Sequence, residues 1–106
     1  MHWLYLLGAI LFEVMGTLSI KQTTLSNNYY WVIAVITFYS ISFVLLGITV
    51  KKLEIGTVYA IWAGFGVVLV TLLGWLIFKE TMSLQKVVAI MLIITGTVML
   101  KLQQTV

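Results

Sequence analysis

Four long apolar runs constrain this chain more than any other feature of its sequence. Tyr29 to Val50, Ile55 to Phe78 and Val87 to Leu100 carry no charged residue, and Trp3 to Ile20 carries only Glu13. A membrane-spanning helix needs about 20 apolar residues, with a range of roughly 17–25. The first three runs in chain order meet that requirement outright. The fourth meets it when extended back to Leu84, because Lys86 and Lys101 can snorkel from its two ends to the headgroups. Hydrocarbon offers no water to backbone groups, so each run must satisfy its own hydrogen bonds as a helix. The predicted architecture is all-α and integral to the membrane. It is a single domain over 1–106, with helices near 3–20, 29–50, 55–78 and 84–101.

Composition excludes the alternatives. Apolar residues make up 62% of the chain and charged residues 8%, whereas a soluble domain carries roughly a quarter charged residues. The absence of cysteine removes a disulfide scaffold, a thiolate metal site and a cysteine nucleophile together. No metal, cofactor or enzymatic chemistry is expected, since no nucleophile–base pair or ligand cluster stands out. The net charge of +3 is the balance of six lysines against three glutamates, and the lysines, scattered at the ends of apolar runs, form no basic patch for nucleic acid. Polar breaks fall at residues 21–28 (KQTTLSNN), 51–54 (KKLE) and 79–83 (KETMS), the last ending in a serine suited to cap the fourth helix. Trp3, Tyr5, Tyr29, Tyr30, Trp31, Trp75 and Phe78 gather near these breaks as an aromatic belt. A cleavable signal peptide is not expected, because the first run lacks a basic leader and contains Glu13.

With four crossings, the amino end, the second loop and the carboxyl end share one side, which holds Lys51, Lys52 and Lys101. The other side holds Lys21, Lys79 and Lys86. The positive-inside rule orients a protein by the difference between these counts, here 3 − 3 = 0. Either short loops carry weak statistics and one orientation wins, or the chain inserts both ways up. In the second case opposed copies pair as an antiparallel dimer, assembling the inverted symmetry that larger transporters hold within one chain. The balance favours the second reading.

Glu13 lies about ten residues into the first helix, near mid-membrane at about 1.5 Å rise per residue. An ionisable side chain at that depth is expensive and marks a functional site by default. The competing reading is a protonated, hydrogen-bonded acid that only holds helices together. It is weakened because no Lys, Arg, His or Asn lies at membrane depth to partner it. One turn away on the same face are Ala9, Ile10, Gly16 and Thr17, whose mostly small side chains leave room for a ligand or a neighbouring helix.

In the third helix Tyr59 and Trp62 share a face at a depth where they cannot be interfacial anchors. Aromatic rings opposite a carboxylate suit an organic cation, and plain core packing is the alternative. Gly64 and Gly66 offer a place for this helix to bend. Tyr39 and Ser42 present hydroxyls on one face of the second helix. Ala89, Leu92, Ile93, Gly96, Thr97 and Leu100 form a helical stripe without polar chemistry, suited to a dimer contact.

These motifs together resemble the small multidrug resistance family over essentially the whole chain. The resemblance rests on Glu13 to Thr17 (EVMGT), Gly56 to Gly66 (GTVYAIWAGFG) and the Ala89 to Gly96 stripe. It implies an antiparallel dimer of four-helix subunits in a bacterial cell membrane, coupling proton entry to export of small organic cations. By the same resemblance Glu13 binds proton and substrate alternately. Tyr59 and Trp62 line the pocket, Tyr39 and Ser42 border it, and Ala9, Ile10, Gly16 and Thr17 surround the carboxylate. The guanidinium-exporting branch typically has tryptophan three residues after the glutamate. This chain has Gly16 there, which favours lipophilic or quaternary ammonium cations. Gly56-Thr57 resembles the guanidinium branch, however, and Gly16 to Lys21 (GTLSIK) with Val50 to Lys52 (VKK) resembles one chain of the paired polyamine exporters. A heterodimer with a related chain therefore stands beside the homodimer. Ala89 occupies a position where the family stripe commonly has glycine. The rival classes are a small channel, which needs a ring of charges and a continuous polar lining, and a regulatory subunit, which needs no intramembrane charge.

Overall fold

A computed structural model describes residues 2–103, so residues 1 and 104–106 of the expected domain lie outside the described residues. The chain folds as four helices: α1 (His2–Ser26), α2 (Tyr30–Thr49), α3 (Ile55–Ile77) and α4 (Leu84–Leu102). All four are long and apolar enough to cross a membrane.

The first helix runs past its expected end at Ile20 to Ser26. Its polar tail remains helical because its hydroxyls find partners on the helix itself. Thr23 Oγ1 donates to Ser19 O at 2.9 Å, Thr24 Oγ1 to Lys21 O at 2.7 Å, and Ser26 Oγ to Gln22 O at 3.0 Å. At 25 residues α1 exceeds the roughly 20 that cross hydrocarbon, so this tail extends into the headgroup layer. Asn27 then takes the left-handed backbone at φ 55, which asparagine tolerates better than most residues. Asn28 Oδ1 accepts the Tyr30 N–H at 3.0 Å and starts α2.

The second corner closes on backbone bonds. Lys52 N–H and Leu53 N–H both donate to Thr49 O at 3.2 Å, while the Leu53 side chain plugs into the core. At the end of α3, Lys79 adopts φ 58 and the Glu80 N–H turns back to Gly74 O at 3.2 Å. Ser83 Oγ accepts the Lys86 N–H at 3.2 Å, the expected cap of α4.

α1 is the central element. It packs most extensively on α2 and also against α3, which in turn carries α4. Leu6, Ile10 and Val14 of α1 meet Val58 and Ile61 of α3, with Leu53 closing one end. Many of the remaining apolar side chains face outward, and α4 buries a single residue, Thr97. Such a surface is unstable in water but ordinary against lipid tails, which are as apolar as leucine. Contacts at the two ends fix the up-and-down arrangement. Lys101 Nζ sits 5.0 Å over the Trp3 ring at one end, and Lys21 Nζ lies 3.8 Å from Glu80 Oε2 at the other.

Candidate functional site

Glu13 projects from the middle of α1 toward α3 and ends in two oxygens with different surroundings. Oε1 accepts a hydrogen bond from Thr17 Oγ1 at 2.9 Å, one turn along the same helix. Thr17 Oγ1 also lies 2.8 Å from the Tyr39 hydroxyl of α2. A threonine hydroxyl has one hydrogen, and it is given to the carboxylate, so Tyr39 is the donor in this second bond. The chain Tyr39–Thr17–Glu13 thus feeds donors toward one carboxylate oxygen. The other oxygen, Oε2, is buried without a hydrogen-bond partner among the described residues.

Two glycines make this arrangement possible. A β-carbon at Gly16 would stand 2.6 Å from the Tyr39 ring, so only a bare backbone lets that ring reach Thr17. A β-carbon at Gly66 would stand 3.0 Å from Glu13 Oε2, so α3 offers the carboxylate a bare backbone too. Beside them lies a cavity of about 310 Å³, lined by Glu13, Thr17, Trp62, Ala63, Gly66, Val67 and Val70. Its walls are apolar except for the two α1 residues and the indole. Trp62 Nε1 is the other buried side-chain polar atom without a hydrogen-bond partner among the described residues. The Trp62 ring stacks edge-on against Tyr59 at 5.9 Å and tilts against Phe43 at 6.2 Å.

The structure brings together Glu13, Thr17, Tyr39 and Trp62 from the residues singled out in the sequence. Tyr59 adjoins Trp62 but faces outward, 64% exposed. Ser42 does not border the cavity. It is fully buried between α1 and α2, where its Oγ donates to Ala9 O at 2.6 Å. Ala9 is correspondingly packed against α2, and Ile10 belongs to the apolar core and to a separate groove beside Leu6 and Phe65. Gly64 and Gly66 lie in one unbroken helix and admit neighbours. Gly64 receives Ile93 and Thr97, whose methyl carbons would stand 3.1 and 2.6 Å from a β-carbon there. Those two residues of the α4 stripe therefore face α3 of their own chain. Ala89, Leu92, Gly96 and Leu100 remain exposed. Ala63, Val67 and Val70 were absent from the expected site; their spacing from Trp62 and Gly66 along α3 was the available signal.

A carboxylate from the middle of α1, a tyrosine–threonine relay and an aromatic wall thus meet at one cavity. The sequence from residue 1 to 93 matches the family model described as Small Multidrug Resistance protein. The chain belongs to the small multidrug resistance family. It is 42% identical over 102 residues to the uncharacterized membrane protein YvaE of Bacillus subtilis (strain 168), covering 96% of this chain and 86% of that protein. Members of the small multidrug resistance family are multi-pass membrane transporters of small cations, not enzymes, and work as oligomers.

Proposed function

We propose that this chain is a proton-coupled antiporter that exports lipophilic or quaternary ammonium cations across a bacterial cell membrane, with Glu13 serving proton and cation in turn. The observation that carries this reading is Glu13 Oε2, a buried carboxylate oxygen without a partner beside a cavity with an indole wall. A carboxylate so placed is costly unless it holds a proton or faces a positive charge. Thr17 and Tyr39 orient it through Oε1 and leave Oε2 for the exchange. An organic cation gains from the carboxylate and from the Trp62 ring face together. One site cannot hold both ligands, so export of a cation requires return of protons.

Tyr59 is exposed in a single subunit, beside the cavity wall at Trp62. An antiparallel homodimer would cover it, joined through the exposed Ala89, Leu92 and Gly96 of α4, and alternating access would exchange two equivalent conformations. Export of guanidinium compounds or polyamines, alone or paired with a related chain, is the second reading, favoured by Gly56-Thr57 and Gly16 to Lys21.

The test is titration of the purified protein with a permanently charged aromatic cation across pH, by calorimetry or fluorescence. Affinity falls as pH falls, because protons compete for Glu13, and binding releases protons into weakly buffered solution. Glu13→Gln keeps the shape and loses both effects. Affinity independent of pH, together with a transporting Glu13→Gln variant, refutes the mechanism and leaves Glu13 a structural hydrogen-bonding group.

A further inference from the structure

A second cavity lies away from Glu13, on the side of the bundle where α1 and α4 diverge over α3. It is an apolar groove of about 490 Å³, floored by Ile61, Phe65 and Leu69 of α3 and Thr97 of α4. Leu7 and Leu11 of α1 and Val98 of α4 form its exposed rims. From Trp3 to Leu11 it follows α1 for about 12 Å at 1.5 Å per residue. That is most of the depth of one leaflet, since a whole hydrocarbon core is about 30 Å thick. At its mouth stands Lys101, in the last turn of α4, with its ammonium 5.0 Å over the Trp3 ring.

Two of the three lysines of the opposite end are engaged by oxygen. Lys21 meets Glu80, and Lys86 Nζ donates to Thr81 O at 2.6 Å. Lys101 meets no carboxylate among the described residues; its contact is a ring face, which leaves its ammonium hydrogens open to an acceptor. Val98 and Lys101 lie roughly 200° and 140° around α4 from Gly96, so the groove opens away from the exposed Ala89, Leu92 and Gly96, while Thr97, the stripe residue on its floor, faces α3. A second copy seated on the exposed part of the stripe would leave the groove open.

We propose that this groove binds an anionic phospholipid, with one acyl chain along Leu7, Leu11 and Phe65 and its phosphate on Lys101. Apolar walls of single-leaflet depth select an acyl chain. A positive charge held at headgroup level selects the anion over a zwitterion.

The test uses the full chain reconstituted in phosphatidylcholine vesicles containing a trace of spin-labelled phosphatidylglycerol or spin-labelled phosphatidylcholine, with the motionally restricted fraction read by electron paramagnetic resonance. The wild type favours the glycerol lipid about fivefold, the effect of one lysine at an anionic headgroup. Lys101→Gln abolishes the preference and Lys101→Arg keeps it. Leu7→Trp, which fills the groove without changing charge, lowers the restricted fraction of the glycerol lipid. Lys51→Gln with Lys52→Gln, on the same membrane side, leaves the preference in place. Equal restriction of the two lipids by the wild type overturns the proposal. So does a preference that survives Lys101→Gln, or one that disappears with the Lys51 and Lys52 changes instead.

Discussion

Gly66 lies under Glu13 so closely that a β-carbon on it would stand 3.0 Å from Oε2. Gly66→Ala forces the carboxylate or the α3 backbone to shift by tenths of an ångström. Overpacking of that kind costs about 1–3 kcal/mol, and here it falls on the group proposed to hold the cation. Cation affinity is expected to drop about tenfold, the equivalent of about 1.4 kcal/mol. Four-helix content by circular dichroism stays unchanged. Titration calorimetry on the variant checks this, and wild-type affinity would separate Gly66 from the cation site.

Gly64 and Gly96 are both on helix surfaces but differ in their neighbours. A β-carbon at Gly64 collides with Thr97 and Ile93, whereas none at Gly96 meets anything within 4 Å. Gly64→Ala should destabilise the α3–α4 contact by about 1–3 kcal/mol. Gly96→Ala should be neutral or stabilising within one subunit, because alanine is better in a helix by about 1 kcal/mol. Unfolding in mixed micelles by added dodecyl sulfate measures both. Gly96→Leu goes further, because it leaves the subunit intact and blocks the α4 stripe. Loss of cross-linked dimer in that variant, with unchanged helix content, is the expected result.

Ser42 and Trp62 allow packing to be separated from ligand contact. Ser42→Ala removes the bond to Ala9 O and should cost about 1 kcal/mol of stability, leaving cation affinity unchanged. Trp62→Ala should weaken binding of bulky aromatic cations by about 1 kcal/mol or more, with the fold preserved because the change enlarges an existing cavity. The pair is measured by parallel unfolding and binding titrations. The opposite pattern would make Ser42 the ligand contact and Trp62 the packing residue.

The equal lysine counts on the two sides predict that a reporter at the carboxyl end is found on both faces of the membrane in comparable amounts. Two lysines appended at that end should shift the distribution toward one orientation. A single orientation in the unmodified chain would remove the orientation argument for self-pairing and favour a partner of opposite insertion.

Much of this was legible because membrane insertion makes particular residues expensive. Uncharged runs mark helices, and Glu13 announces itself by having no reason to be there otherwise. Helical spacing placed Thr17 beside Glu13 and Trp62 beside Tyr59. It could not say which neighbour a face meets. Ser42 and Tyr39 share a face of α2 yet meet α1 at different depths, one bonded to the Ala9 backbone and one to Thr17. Gly66 suggests a bend from sequence alone, because a glycine signals space without naming the occupant, here a carboxylate from another helix. Ile93 and Thr97 face Gly64 of their own chain, which the stripe alone does not reveal. The serines and threonines in the tail of α1 point to a loop, but their hydroxyls bond back to carbonyls of the same helix.

The Ser42 hydroxyl has a consequence for motion. Ala9 O is also the acceptor for the Glu13 N–H in the α-helical ladder, so Ser42 grips the very turn that carries the carboxylate. Tyr39 grips the next turn through Thr17. Two clamps from α2, one on each side of Glu13 along α1, lock these helices against independent rotation. α3 meets α1 through the apolar packing of Val58 and Ile61 and through bare Gly66, with no hydrogen bond between the two helices among the described residues. Any change in which face Glu13 addresses would therefore be expected to move α1 and α2 together, as a single lever against α3.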